Sequence, residues 1–122
     1  PVIKNAHLKS FTGIALSLHD LAERARGKKL KPEDVQNGTI SMTNPGIYGG
    51  LFATPIISQP QVAILGVGSI GKRPVVIQDA IAIRSMVYLS LTFDHRVIDG
   101  AVADQFMARL KERLQAWAQW ID

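Results

Sequence analysis

Apolar residues recur at helical spacing in two stretches of this chain and at strand spacing in several others. Between 11 and 26, Ile14, Leu18, Leu21, Ala22 and Ala25 fall on one face of a 3.6-residue period, which predicts an amphipathic helix. Ser10 stands where an N-cap is wanted and Gly27 where a helix stops. Val2-Ile3 reads as a short strand leading into a loop, and Pro32-Glu33-Asp34 as the first turn of a very short helix. A strand is expected over 39–43, ended by Asn44-Pro45-Gly46, and an apolar strand over about 61–68. Residues 74–78 and 81–93 read as two strands joined near Asp79-Ala80. A final helix is expected over about 101–118, with Ala103, Phe106, Met107, Leu110, Leu114 and Trp117 on its buried stripe. No repeat or low-complexity linker interrupts the series. The pattern is that of an α+β or mixed α/β domain, one sheet with helices laid on it.

Composition narrows this picture in a few respects. At 122 residues the chain is of one-domain size, and 47% hydrophobic content is enough for a core. Without cysteine it has no disulfide framework, zinc–thiolate site or cysteine nucleophile, which fits a reducing compartment. No apolar run approaches the ~20 residues of a membrane span. Pro1-Val2-Ile3-Lys4-Asn5 has neither a secretory layout nor a starting methionine, so a start in mid-protein is expected. The net charge of +4 is concentrated in Arg24, Arg26, Lys28, Lys29 and Lys31, at the end of the first predicted helix. Cations favour that end of the macrodipole, and no aromatic residues interleave as a base-stacking surface would need. The run reads as a solvated helix end rather than a nucleic-acid patch.

Two motif matches carry no function. Gly66-Val67-Gly68-Ser69-Ile70-Gly71 has the glycine spacing of a dinucleotide fingerprint, which works only where a helix begins; here Lys72-Arg73-Pro74-Val75-Val76-Ile77 leads into a strand. Asn37-Gly38-Thr39 matches a glycosylation acceptor, but Asn-Gly is a common turn and nothing else suggests secretion.

The segment "SLTFDHRVIDGAVADQF", residues 90–106, is more informative. Over 86–93 the odd positions Val87, Leu89, Leu91 and Phe93 are apolar, and Met86, Tyr88, Ser90 and Thr92 line the other face. One face therefore belongs to a core and the other is mixed, as a lined channel could be. His95, one of three histidines, falls where the strand gives way to a turn, a place suited to a catalytic group on a rigid element. On the residues alone, a hydrogen-bonded structural histidine, with Asp99 merely capping the last helix, is the better reading.

Asp94-His95-Arg96-Val97-Ile98-Asp99-Gly100 resembles the Asp-His-Arg-x-x-Asp-Gly signature of the dihydrolipoamide acyltransferases, the core components of 2-oxo acid dehydrogenase complexes. "PVIKNA", "LAERARGKKL", "NGTISMTNPGIYGG", "ATPII", "QPQVAILGVGSI" and "KRPVV" look like segments of the same family in the same order, so the likeness spans nearly the whole chain. The resemblance implies a chloramphenicol-acetyltransferase-like fold, with mixed sheet and flanking helices, of which this chain would be the C-terminal half of one catalytic domain. It implies a missing first half of that domain, a lipoyl group carried on a separate domain, and a peripheral-subunit-binding domain. It implies a homotrimer, with the histidine of one subunit facing the serine of the next, packed into a cubic or dodecahedral core beside dehydrogenase components. Trp117, Trp120 and Ile121 are compatible with such contacts. A cytoplasmic or mitochondrial-matrix setting follows, without nucleic acid or membrane as partner.

The implied chemistry is acyl transfer between a dihydrolipoyl thiol and coenzyme A, both of them substrates, with no metal or redox cofactor. A thiol of pKa ~8.5 is mostly protonated at neutral pH, and an imidazole, ordinarily near ~6.5, is suited to take its proton. By the resemblance His95 is that base, and Ser41 in "TIS" donates to the oxyanion of the tetrahedral intermediate. Read without it, Ser41 is an ordinary strand serine. Asp99 is expected to fix a loop or an arginine rather than to move protons. Two other readings stand beside this one: an O-acetyltransferase of the chloramphenicol acetyltransferase kind, against which the "NPGIYGG" and "TPII" blocks argue, and an inactive assembly fragment.

Overall fold

The structure, a computed structural model, describes residues 1–119; Trp120 and Ile121, expected at contacts, lie outside the described residues. The chain divides into two compact units, one made of 1–39 with the residues from 108 on, the other of 40–107.

In the first unit, α1 (Phe11–Arg26) has the bounds its apolar period predicts. The Ser10 hydroxyl caps it by accepting the Gly13 N–H at 3.1 Å. At the other end the Gly27 N–H reaches the Glu23 carbonyl (2.9 Å), and the residue in the left-handed region is Lys28 (φ 53°) rather than the glycine. Leu21 is buried and Ile14 and Ala22 are half-buried, but Leu18 and Ala25 are exposed, so the apolar stripe is covered only in part. The short helix Pro32–Val35 follows, as Pro32 and the acids after it predict. Arg24 ties the two helices together, donating from Nε to Asp20 (2.9 Å) and from Nη1 to Asp34 (2.6 Å). The Lys31 N–H and then the Arg24 guanidinium hold the Asp34 carboxyl below its ordinary range. Val2-Ile3 is not a strand: the Val2 N–H reaches the Asp34 carbonyl (2.7 Å), and among the described residues no neighbouring strand continues a ladder.

In the second unit two sheets replace the single one expected. β1 (Ser41–Thr43), β2 (Ala63–Val67) and β5 (Leu89–Phe93) form a sheet in the order β1-β2-β5, while β3 (Gly71–Ile77) and β4 (Ala80–Met86) form a separate hairpin. β1 runs parallel to β2, with Ser41 beside Ile64; β2 runs antiparallel to β5, with Ile64 beside Thr92. The strand expected over 81–93 is thus two strands, broken at Val87-Tyr88. Alternation runs through the break, but the partner changes. β4 stays with β3, whose pairing ends at Gly71 beside Met86, and β5 takes up β2, where Val67 faces Leu89. At the hand-over the Tyr88 carbonyl accepts the Gly68 N–H (2.9 Å). The hairpin joint falls at Gln78-Asp79, both at positive φ (49° and 62°), the conformation that matches a two-residue turn to strand twist.

The loop after β1 folds back onto the end of β2. Ser69 N–H donates to the Gly50 carbonyl (2.8 Å), and the Ser90 hydroxyl donates to the Ala53 carbonyl (2.6 Å). A Cβ on Gly68 would collide with the Leu51 carbonyl oxygen, and one on Gly66 would lie 2.5 Å from the Ser90 hydroxyl. Gly68 therefore serves close approach of backbone and Gly66 close approach of the Ser90 side chain, whereas a Cβ on Gly71 would meet nothing; a strand rather than a helix follows the run.

The last helix, α2 (Gly100–Gln115), gives way to a 3-10 turn at Trp117–Gln119 instead of continuing to 118. Of its expected stripe only Ala103 is buried; Met107 and Leu110 are half-buried, and Phe106, Leu114 and Trp117 are exposed. The apolar face is present in the sequence, but the described residues cover only part of it. Trp117 does meet Phe11, with ring centroids 6.5 Å apart.

Candidate active site

The three-stranded sheet sorts its side chains as strand parity dictates. Residues facing each other across adjacent strands share a face, so Ser41, Thr43, Ser90 and Thr92 lie on one side with Ile64 and Gly66. Leu65, Val67, Leu89, Leu91 and Phe93 lie on the other with Ala63. The mixed face expected of 86–93 is therefore extended across β2 to β1, and Ser41 belongs to it. The register also fixes which end of the sheet matters: Ser41 opens β1, residues 61–62 lead into β2, and β5 ends at Phe93, all at the same end.

At that end the Ser41 hydroxyl donates to Oε1 of Gln61 at 2.7 Å, and both side chains are half-buried. The next residue, Val62, accepts the Asp94 N–H through its carbonyl (2.8 Å), which pins the start of the turn after β5. The Asp94 carbonyl in turn accepts from Val97 N–H and Ile98 N–H, both at 3.0 Å. His95 is thus held in a closed turn with its side chain exposed. Its imidazole packs on the Phe93 ring at 5.6 Å between centroids, tilted by 37°.

The two residues flanking His95 form an ion pair. Arg96 places Nη2 at 2.6 Å and Nε at 3.2 Å from Asp94 Oδ2, and its Nε (2.9 Å) and backbone N–H (3.0 Å) reach Oδ1. The Arg96 guanidinium and then its backbone N–H push the Asp94 carboxyl down to about 2. Asp94 is therefore an anion throughout the neutral range, unsuited to carry a proton.

Asp99 caps α2, its Oδ1 accepting the Val102 N–H at 2.8 Å. Among the described residues no hydrogen bond joins His95 to Ser41 or to Asp99. β1 and β5 are separated by β2, which sets their backbones roughly 10 Å apart. So Ser41 and His95 share a sheet end without touching, and Asp99 sits four residues on at a helix start. Gln61 and the Asp94–Arg96 ion pair belong to this neighbourhood too; the signature contains Asp94 and Arg96 but does not disclose their pairing, and Gln61 lies outside it. The one signal for Gln61 was a polar residue directly before the apolar run of β2.

The basic run at 24–31 is largely engaged by neighbouring acids. Besides the pairs of Arg24, Arg26 meets Glu23 at 2.6 Å and Lys31 meets Glu33 at 3.9 Å.

Residues 1–121 match the family model of the 2-oxoacid dehydrogenases acyltransferase (catalytic domain). The acetyltransferase component of the pyruvate dehydrogenase complex of Corynebacterium glutamicum is 51% identical over 119 residues, covering 94% of this chain and 18% of that protein. The mitochondrial succinyltransferase component of the human 2-oxoglutarate dehydrogenase complex is 43% identical over 115 residues, 25% of its length. Among solved structures, a probable dihydrolipoamide acetyltransferase from Listeria monocytogenes superimposes with a TM-score of 0.92 at 46% identity, over 95% of this chain and 50% of that one. The dihydrolipoamide acetyltransferase of Azotobacter vinelandii does so with a TM-score of 0.89 at 44% identity, over 93% of this chain and 47% of that one. The chain spans about half the length of these solved relatives and a smaller share of the curated ones. By sequence over 121 residues and by superposition of its fold, it belongs to the family of 2-oxoacid dehydrogenase acyltransferases, in their catalytic domain.

Proposed function

We propose that this chain is the C-terminal half of an acyltransferase catalytic domain that moves an acyl group between dihydrolipoamide and coenzyme A. The observation that carries the reading is the placement of His95, exposed in a pinned turn at the sheet end where Ser41 opens β1. In this mechanism the imidazole takes the proton of the attacking thiol, and the thiolate adds to the thioester carbonyl. The Ser41 O–H donates to the oxyanion, and the intermediate collapses by expelling the second thiolate, which recovers the proton from His95. The Azotobacter vinelandii enzyme offers support: a serine, a histidine and an asparagine four residues after it are the groups whose catalytic role its structure addresses. Here Asp99 follows His95 by the same interval.

The separation of β1 and β5 by β2 supports a site shared between subunits, in which His95 of one copy works with Ser41 of the next. A related structure is that of the cubic core of a pyruvate dehydrogenase complex, which supports a large homomeric core for this protein too. Lipoyl domains and dehydrogenase components are the further partners this reading implies. The test is transfer from acetyl-CoA to dihydrolipoamide by the full-length protein. Ser41→Ala should lower kcat by roughly 10²–10³-fold with KM nearly unchanged, because an oxyanion donor acts mainly in the transition state. A large rise in KM at normal kcat would instead make Ser41 a substrate-binding group.

A further inference from the structure

A serine hydroxyl has one proton to give. In this structure the Ser41 proton is given to the Gln61 carbonyl oxygen at 2.7 Å, and a proton committed there is not available to an oxyanion. The partner, however, is a carboxamide, which carries an acceptor at one end and a donor at the other. A half-turn of that amide brings Nε2 to the place of Oε1. It then donates into a lone pair of Ser41 Oγ, and the hydroxyl proton is released toward the reacting centre. From this we infer that Gln61 is a positioning residue for acyl transfer, one that parks the Ser41 proton in one amide orientation and presents it in the other.

The surroundings suit that task. Gln61 lies two residues before β2, the strand beside β1, and its backbone N–H is fixed on the Ser58 carbonyl at 3.0 Å. Its side chain is half-buried, so bulk water competes little for the amide. Its neighbour Val62 holds the Asp94 N–H, so one dipeptide connects the Ser41 hydroxyl with the turn that carries His95. A carboxylate could not make the half-turn useful, since both of its oxygens only accept.

The inference rests on Ser41 being the oxyanion donor, and the experiment separates the two. In the full-length protein, kcat and KM for transfer between acetyl-CoA and dihydrolipoamide are measured for Gln61→Glu, Gln61→Met and Ser41→Ala, and for each Gln61 change combined with Ser41→Ala. Gln61→Glu should bring kcat down to the level of Ser41→Ala with KM unchanged. Its kcat relative to wild type should rise at least tenfold between pH 7 and pH 5, as a carboxyl of ordinary pKa ~4.3 begins to carry a proton it can donate to Oγ. Gln61→Met, similar in size but unable to donate or accept, should lower kcat less than Gln61→Glu does. Neither change should cost anything further once Ser41 is alanine, the mark of two groups acting as a unit. If Ser41→Ala lowers kcat but Gln61→Glu stays within threefold of wild type, the Gln61 assignment is wrong and the Ser41 reading survives. The assignment is equally wrong if the Gln61 losses persist in full beside Ser41→Ala. If Ser41→Ala leaves kcat unchanged, the oxyanion reading falls, and this inference with it.

Discussion

Asp94 and Asp99 stand on either side of the same short turn, yet their surroundings give them different duties. Asp94 is gripped by the guanidinium and backbone of Arg96, which keeps it ionised down to about pH 2. Its folded pKa lies below the ordinary 3.8. The stabilisation it gives is therefore present above about pH 4 and is lost as the pH falls through 2. With Arg96→Gln, which removes the guanidinium but keeps the backbone N–H, the Asp94 carboxyl carbon followed by NMR should titrate at higher pH, part of the way back toward the ordinary 3.8. An unchanged titration would mean that the carboxyl is held by something other than the Arg96 guanidinium. Asp94 and Arg96 thus form a closed ion pair beside His95, and the ring of Phe93 supplies the surface on which the imidazole lies.

At the level of elements, Asp99 closes the first turn of α2 by accepting the Val102 N–H. Asp99→Ala should cost about 1 kcal/mol in chemical denaturation, and Asp99→Asn, which keeps the accepting oxygen, only a few tenths. A loss of activity in Asp99→Asn at unchanged stability would show that the carboxylate acts beyond the cap. Elements set by local rules were legible in the sequence. α1 came with both its ends, because Ser10, the apolar period and Gly27 lie in one contiguous stretch. The division of 80–93 into two strands was not legible, because the alternation of side chains is indifferent to which neighbour a strand pairs with. That choice is made by β3, the adjoining arm of the hairpin, and by β2, which lies far upstream of β5. The candidate site divides in the same way. His95 and Asp99 stood out through a contiguous signature. The Gln61–Ser41 bond joins residues 20 positions apart and leaves no pattern in the sequence.

Across the whole molecule, the apolar side chains outnumber the places that shelter them. Among the described residues the buried apolar ones are Leu21, Ala63, Ile64 and Ala103, while Ile56, Tyr48 and Ile81 stand 91%, 90% and 82% exposed. Surfaces of this kind are expected to be covered by further polypeptide, in keeping with a chain half the length of its solved relatives. The 122 residues alone should therefore bind a hydrophobic dye strongly and show little or no transfer activity. Positioning of reactants can account for ~7–11 kcal/mol of a barrier, and on the proposed reading a chain that supplies half of the catalytic domain forfeits much of it. Turnover by the isolated chain at the rate of the full-length protein would contradict that. The central claim, that His95 is the base of an acyl transfer, is tested most directly by the kcat of His95→Ala for acetyl-CoA and dihydrolipoamide, in full-length protein whose assembly has been verified. The account predicts a loss of at least ~10²-fold with folding and assembly intact; a kcat that barely moves would make His95 structural and the mechanism wrong.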